Sequence, residues 1–209
     1  MSIAIDFIFH MDTYLNAIVE NYGYLVYLLL FAVVFCETGF VITPFLPGDS
    51  IIFACGTLAA LGKINIFVLF VIFISAAISG DAVNYLLGKH FGVAILKRFG
   101  GRFLKQKNID NAHLFFDKYG GTAVFLARFI PIIRTFVPFV AGMSKMKYRK
   151  FGFYNIFGGI VWVSLFVMTG FYFGNIPLIK QHFSATILAI IVISLLPVFV
   201  KYLIEKLKR

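Results

Sequence analysis

Charge is scarce in this sequence. Asp, Glu, Lys and Arg make up only 13% of its 209 residues, about half of the ~25% with which a soluble domain covers its surface. That shortage excludes a water-soluble fold and leaves no room for a separate soluble domain. Cysteine is nearly absent too: Cys36 and Cys55 both lie in apolar stretches, so they are expected as buried thiols and form no disulfide framework. Four scattered histidines (His10, His90, His113 and His182) show no metal-ligand spacing, so neither a metal nor another cofactor is expected. No Lys or Arg precedes the first apolar stretch, so the charged n-region of a signal peptide is missing.

What remains is 61% hydrophobic, enough for roughly four to six apolar segments of about 20 residues. The net charge of +10 sits mostly in three clusters: 97–107, 145–150 and 201–209. Each cluster borders an apolar run, as cytoplasmic loops do under the positive-inside rule. Such a distribution argues against a nucleic-acid partner and for anionic head groups of the bilayer.

The order of segments suggests an all-α integral membrane protein in a single polytopic domain over 1–209. Residues 1–20 mix Asp6, Asp12 and Glu20 with apolar side chains, as a short amphipathic surface helix does. Apolar runs follow at 21–36, 64–88, 151–174 and 182–203, about four spanning helices. Residues 93–118 are basic and amphipathic, an expected cytoplasmic connection. Two further apolar stretches, 37–62 and 119–144, are interrupted by Pro44, Pro47 and Gly48 and by Pro131 and Pro138. Such interruptions break helices, and at membrane depth they are tolerated where the backbone is buried or lines a cavity.

Stretch 119–144 has basic residues on both flanks. If both flanks are cytoplasmic, the stretch must enter and return as a re-entrant hairpin. A leg of about 12 residues reaches about 18 Å, a little over half of a ~30 Å core. Stretch 37–62 is then its counterpart from the opposite face. With both termini cytoplasmic, fifteen of the nineteen Lys and Arg fall inside, Lys63 and Lys180 outside, and Arg128 and Arg134 within the membrane. Gly88-x-x-x-Gly92 and Gly170-x-x-x-Gly174 close two halves, about 21–92 and 119–203. Opposed hairpins in two halves point to inverted repeats with a site near the midplane, although Gly-x-x-x-Gly on its own is chiefly a helix-packing device.

Four charges, Glu37, Asp49, Arg128 and Arg134, lie in or beside the broken stretches. Each would cost about 2.5–3.5 kcal/mol at the bilayer centre, so pairing or a hydrated cavity is required. In one reading the two acids merely neutralise the two arginines and lock the hairpins together. In the other, Arg128 and Arg134 bind a phosphate, which guanidinium forks grip on two prongs. Glu37 and Asp49 then compete with that anion or carry protons. Asp81, with Asn84 and Tyr85 on the next turn, is a secondary candidate whose plainer role is a polar contact between helices.

The runs Glu37-Thr-Gly-Phe-Val-Ile-Thr-Pro-Phe-Leu-Pro-Gly-Asp49-Ser and Arg128-Phe-Ile-Pro-Ile-Ile-Arg134-Thr-Phe-Val-Pro-Phe-Val-Ala-Gly resemble the two signature stretches of the DedA (SNARE-associated Golgi protein, VTT-domain) family. Gly80-Asp81-Ala-Val-Asn84-Tyr85, Tyr119-Gly-Gly121 and Asn155-x-x-Gly158-x-x-x-Trp162 are similar to that family as well, over about residues 25–175. The resemblance implies a bacterial cytoplasmic-membrane protein with two re-entrant hairpins and inverted repeats. It further implies dependence on the proton-motive force and movement of lipids between leaflets, among them undecaprenyl phosphate and phosphatidylethanolamine. The family's essential acidic pair falls on Glu37 and Asp49, and its essential arginine pair on Arg128 and Arg134.

The leading expectation is therefore a flippase for a phosphate-bearing lipid, foremost undecaprenyl phosphate, with lipid and protons as its partners. Phosphatidylethanolamine flipping or scrambling is the alternative nearest to it. A proton-coupled antiporter for a small molecule or drug would leave the arginines facing a cationic substrate. An enzyme is not expected. Ile78-Ser-Gly-Asp81 lacks the first glycine of an intramembrane aspartyl protease, and His113 stands alone. Whether the chain forms a homo-oligomer is not legible in it.

Overall fold

A computed structural model describes residues 23–40, 48–99, 106–130, 133–177 and 179. Among these residues every regular element is helical: α1 (Tyr24–Gly39), α2 (Gly48–Ala60), α3 (Ile66–Phe99), α4 (Gln106–Tyr119), α5 (Thr122–Ala127), α6 (Phe136–Met143) and α7 (Tyr148–Gly174). The expected surface helix at 1–20, the last expected span at 182–203, both termini, and Pro44, Pro47 and Pro131 lie outside the described residues.

Among the described residues, two helices have the length and apolarity to cross a bilayer, Ile66–Gly92 and Tyr148–Gly174, each of 27 residues. At 1.5 Å per residue each is about 40 Å long, more than a ~30 Å core requires. Only 33% of the 18-residue apolar stretch that qualifies each is buried. Much of the remaining surface is large and apolar, as Phe67, Val71, Phe153 and Phe157 show. The core helix of a soluble protein would hide such side chains. Asn65 starts α3, its Oδ1 accepting the backbone N–H groups of Phe67 and Val68 at 2.9 and 3.3 Å, an N-cap that satisfies two orphan donors. The helix then runs on to Phe99, beyond the apolar run that ends at Gly88, because no proline intervenes and Lys89, Ala94, Leu96, Lys97 and Arg98 favour helix.

The chain divides into two compact units, one of Met1–Leu30, Pro47–Phe70 and Leu165–Arg209, the other of Phe31–Leu46 and Val71–Ser164. Neither coincides with a sequence half. In the first unit, a Cβ at Gly56 of α2 would strike the Val167 carbonyl of α7, and one at Gly170 would strike the Phe53 carbonyl. Thr57 Oγ1 donates to the Gly170 carbonyl at 3.1 Å. In the second unit, a Cβ at Gly142 of α6 would strike the Tyr85 carbonyl of α3, and one at Gly88 would strike the Phe139 carbonyl. Gly92 and Gly174 extend the two contacts by a turn, onto Met143 and onto Thr57 and Ala60. Both Gly-x-x-x-Gly motifs are thus backbone-to-backbone packing sites. They form the same clasp twice, each joining a long helix from one sequence half to a short helix from the other.

The short helices also end alike. After α2, Gly62 N–H donates to Ala59 and Lys63 N–H to Leu58; after α6, Lys145 N–H donates to Gly142 and Met146 N–H to Ala141. These are Schellman caps, in which the residue after the cap takes a left-handed conformation. Gly62 does so freely at φ 72°, and Lys145 does so at φ 54° despite its side chain.

The second unit holds the main core. Phe136, Phe139 and Val140 of α6 pack with Val124 of α5, Tyr85 of α3, Phe151 of α7, and Ile109 and Ala112 of α4. Helix α4 therefore spends its apolar stripe on protein packing, within the stretch expected to be an amphipathic connection. Of the residues expected to break helices, Pro138 does not. It lies inside α6, in the first turn, where a proline's missing N–H would have had no partner anyway. The interruption comes earlier, between Ala127 and Phe136. Gly48 likewise opens α2 rather than breaking a helix.

Candidate anion-binding site

Arg128 caps the C-terminal end of α5, and Thr135, next to Arg134, caps the N-terminal end of α6. The interruption between these helices therefore places both arginines in the second unit, 5% and 7% exposed. Such burial demands counter-charge. Arg128 Nη2 lies 2.8 Å from Asp81 Oδ2 and donates to Asn155 Oδ1 at 2.6 Å. Arg134 Nη2 pairs with Glu37 Oε1. The two carboxylates are 4% (Glu37) and 3% (Asp81) exposed.

Helical spacing explains how the partners converge. On α3, Ala77, Asp81 and Asn84 lie at i, i+4 and i+7, one stripe of a 3.6-residue helix. The Ala77 carbonyl lies 3.4 Å from Arg128 Nη2. Asn84 Nδ2 donates to the carbonyls of Thr38 at 3.1 Å and Thr135 at 2.7 Å, tying the end of α1 to the start of α6. On α7, Asn155, Gly158, Gly159 and Trp162 form a matching stripe. A Cβ at Gly158 would lie 3.1 Å from Arg128 Cδ, so glycine there leaves a channel for the arginine side chain. The Asn155 amide also donates to the Ile78 carbonyl at 3.0 Å, which fixes its Oδ1 toward Arg128. The ring of Trp162 lies 5.0 Å from Arg134 Cζ and 6.0 Å from Arg128 Cζ, within cation–π range.

These groups enclose a pocket lined by Thr38, Asp81, Arg128, Arg134, Thr135 and Trp162. Thr135 Oγ1 and Arg128 Nε are buried in that lining, and Asn84 Oδ1 next to Thr38 and Thr135, without a hydrogen-bond partner among the described residues. Buried polar atoms are seldom left so, and ligand sites are one place where they are. Two guanidiniums, the Thr135 hydroxyl and an aromatic wall can grip a small oxyanion, whereas the Thr38 hydroxyl donates back to the Val34 carbonyl at 2.9 Å.

The sequence-level candidates are placed unevenly. Glu37, Asp81, Asn84, Arg128 and Arg134 come together. Asp49 is half-buried in the first turn of α2, in the other unit. Tyr85 faces the core, stacked on Phe151 at 4.4 Å with its hydroxyl donating to the Met146 carbonyl. The counter-ion of Arg128 is Asp81, expected only as a secondary candidate. Thr38, Thr135, Asn155 and Trp162 were not singled out as site residues. An amide near the start of an uncharged span, and the single tryptophan seven residues on, are the signals that pointed to two of them.

Residues 46–172 match the VTT domain. The chain is 47% identical over 195 residues to Protein DedA of Escherichia coli K12, covering 92% of this chain and 89% of that protein. The chain belongs to the DedA family. It is also 40% identical over 168 residues to an uncharacterized membrane protein of Mycobacterium leprae, covering 80% of this chain and 75% of the relative. With inner membrane protein YghB of Escherichia coli K12 it shares 34% identity over 173 residues, covering 82% and 79%. No solved structure matches. The chain is thus a DedA-family membrane protein, and its arginine-rich pocket lies wholly in segments that its VTT domain and the preceding helix supply.

Proposed function

We propose that this DedA-family protein is a lipid translocase that moves a phosphate-bearing lipid, foremost undecaprenyl phosphate, across the bacterial cytoplasmic membrane with coupling to the proton gradient. The observation that carries this proposal is the pair of buried arginines opening on one pocket beside hydroxyl side chains. Permanent cations held in a desolvated site select anions, and a guanidinium fork matches a phosphate. A cationic drug would meet like charge there, which disfavours the antiporter.

In this proposal the interruption between α5 and α6 and the stretch between α1 and α2 are the turns of two re-entrant hairpins in inverted repeats. The phosphate passes the arginines while the lipid tail stays in the bilayer. Glu37 and Asp49 supply proton relay or gating, and both termini are cytoplasmic.

The test is translocation in proteoliposomes, comparing undecaprenyl phosphate with phosphatidylethanolamine and other lipids. Arg134→Lys keeps the charge and loses the fork, so phosphate-lipid transport should fall by about tenfold or more. Unchanged transport in that variant would refute phosphate clamping, and preference for a lipid without a phosphate would refute the proposed substrate class.

A further inference from the structure

The pocket unit holds a balanced set of charges around Trp162. Arg128 faces Asp81, and Arg134 faces Glu37. The two carboxylates are not equivalent. Asp81 lines the pocket beside both arginines, whereas Glu37 is not among its lining residues. An anion entering the pocket therefore meets Asp81 directly.

Arg128 is also held in an unusual way. All its described bonds run through Nη2, to Asp81, Asn155 and the carbonyls of Ala77 and Asn155. Its Nε has no hydrogen-bond partner among the described residues. The fork is engaged on one prong, so Asp81 is a single-point partner and not a two-pronged one. Asn155 holds the same nitrogen from the opposite helix, so Arg128 would stay aimed if Asp81 let go.

Charge balance sets the rest. Adding a phosphate monoanion to two carboxylates and two guanidiniums leaves an uncompensated negative charge in a desolvated site, which is costly. Resting on the translocase function proposed above, we propose that Asp81 is the proton-accepting gate of this pocket: a proton on Asp81 Oδ2 ends its ion pair with Arg128, and the phosphate of the lipid takes its place on the fork. The proton enters from water as the anion enters and leaves as the anion leaves, so each phosphate charge moves with one proton and the site stays neutral. The charged groups facing Asp81 are Arg128 and Arg134, with Glu37 behind Arg134. The neighbours from α7, Asn155 and Trp162, carry no charge.

The protein holds its own probe, because Trp162 is its single tryptophan and lines the pocket. The full chain in uncharged detergent is titrated with short-chain phosphatidylglycerol, whose phosphodiester charge does not change between mildly acidic and mildly alkaline buffer. Trp162 emission reports occupancy. The wild type should bind more weakly as pH rises, by up to about tenfold per pH unit once the carboxyl is ionised. Asp81→Asn should bind tightly at every pH, and Asp117→Asn, exposed on α4 and outside the pocket lining, should keep the wild-type pH dependence.

A pH dependence that survives in Asp81→Asn, or vanishes in Asp117→Asn, overturns the assignment while leaving phosphate binding itself intact. A wild type that never binds the lipid removes the translocase function and the gate together. If Asp81→Asn does not fold, Asp81→Ser takes its place: loss of the pH dependence supports Asp81, and its retention overturns the assignment.

Discussion

Arg128 and Asp81 show how a single contact can serve stability and function in opposing ways. Taking one partner from a buried pair strands the other's charge, at about 3–5 kcal/mol, whereas replacing both with apolar groups of similar volume is often neutral or stabilising. Arg128→Met alone should therefore lower thermal stability in detergent by about that amount. The double variant Arg128→Met with Asp81→Leu should recover most of the loss. Translocation should be absent in both variants. Transport that returned with stability would show the pair to be a structural lock. The sequence exposed the four charges of the broken stretches because charge in apolar context is conspicuous. It did not expose their pairing, because Asp81 is 47 residues from Arg128 in the chain and nothing local links them.

At the scale of elements, the repeated helix clasp depends on glycines facing backbone. Gly142 meets the Tyr85 carbonyl and the Lys89 amide, and Gly56 meets the Val167 carbonyl and the Phe171 amide. A methyl group at either position has only peptide backbone to displace, so overpacking of about 1–3 kcal/mol is expected. Gly142→Ala and Gly56→Ala should each lower the melting temperature, as thermal unfolding in detergent would read. Gly152→Ala, where a Cβ meets nothing within 4 Å, is the control and should leave it unchanged or slightly raised. Spacing alone identified the Gly-x-x-x-Gly motifs. Their partners were hidden, because helix packing selects small residues without specifying which helix comes close.

For the whole molecule, the proposed orientation rests on where the basic residues concentrate. In a background lacking Cys36 and Cys55, a cysteine at Lys63 should be labelled by an impermeant reagent in intact cells. One at Lys147 should be labelled only after permeabilisation. Labelling of both from outside would refute the proposed hairpin between them and, with it, the inverted arrangement of the halves. The two compact units already cut across the sequence halves, because α2 clasps α7 and α6 clasps α3. The clasp that recurs is a contact between distant segments, so it leaves no repeat to read along the chain.

The sequence by itself determined that the chain is helical and apolar, that the apolar stretch 119–144 is not one continuous helix, and that arginines and acids are kept inside at an energetic cost. Each of these follows from local composition, since burying backbone and charge in an apolar medium is costly wherever it occurs. Only the tertiary structure decided which acid faces which arginine, that Pro138 lies within a helix, and that Asn155 and Trp162 complete the pocket. Those outcomes depend on which helix faces come together, and such long-range choices leave no periodic trace along the chain.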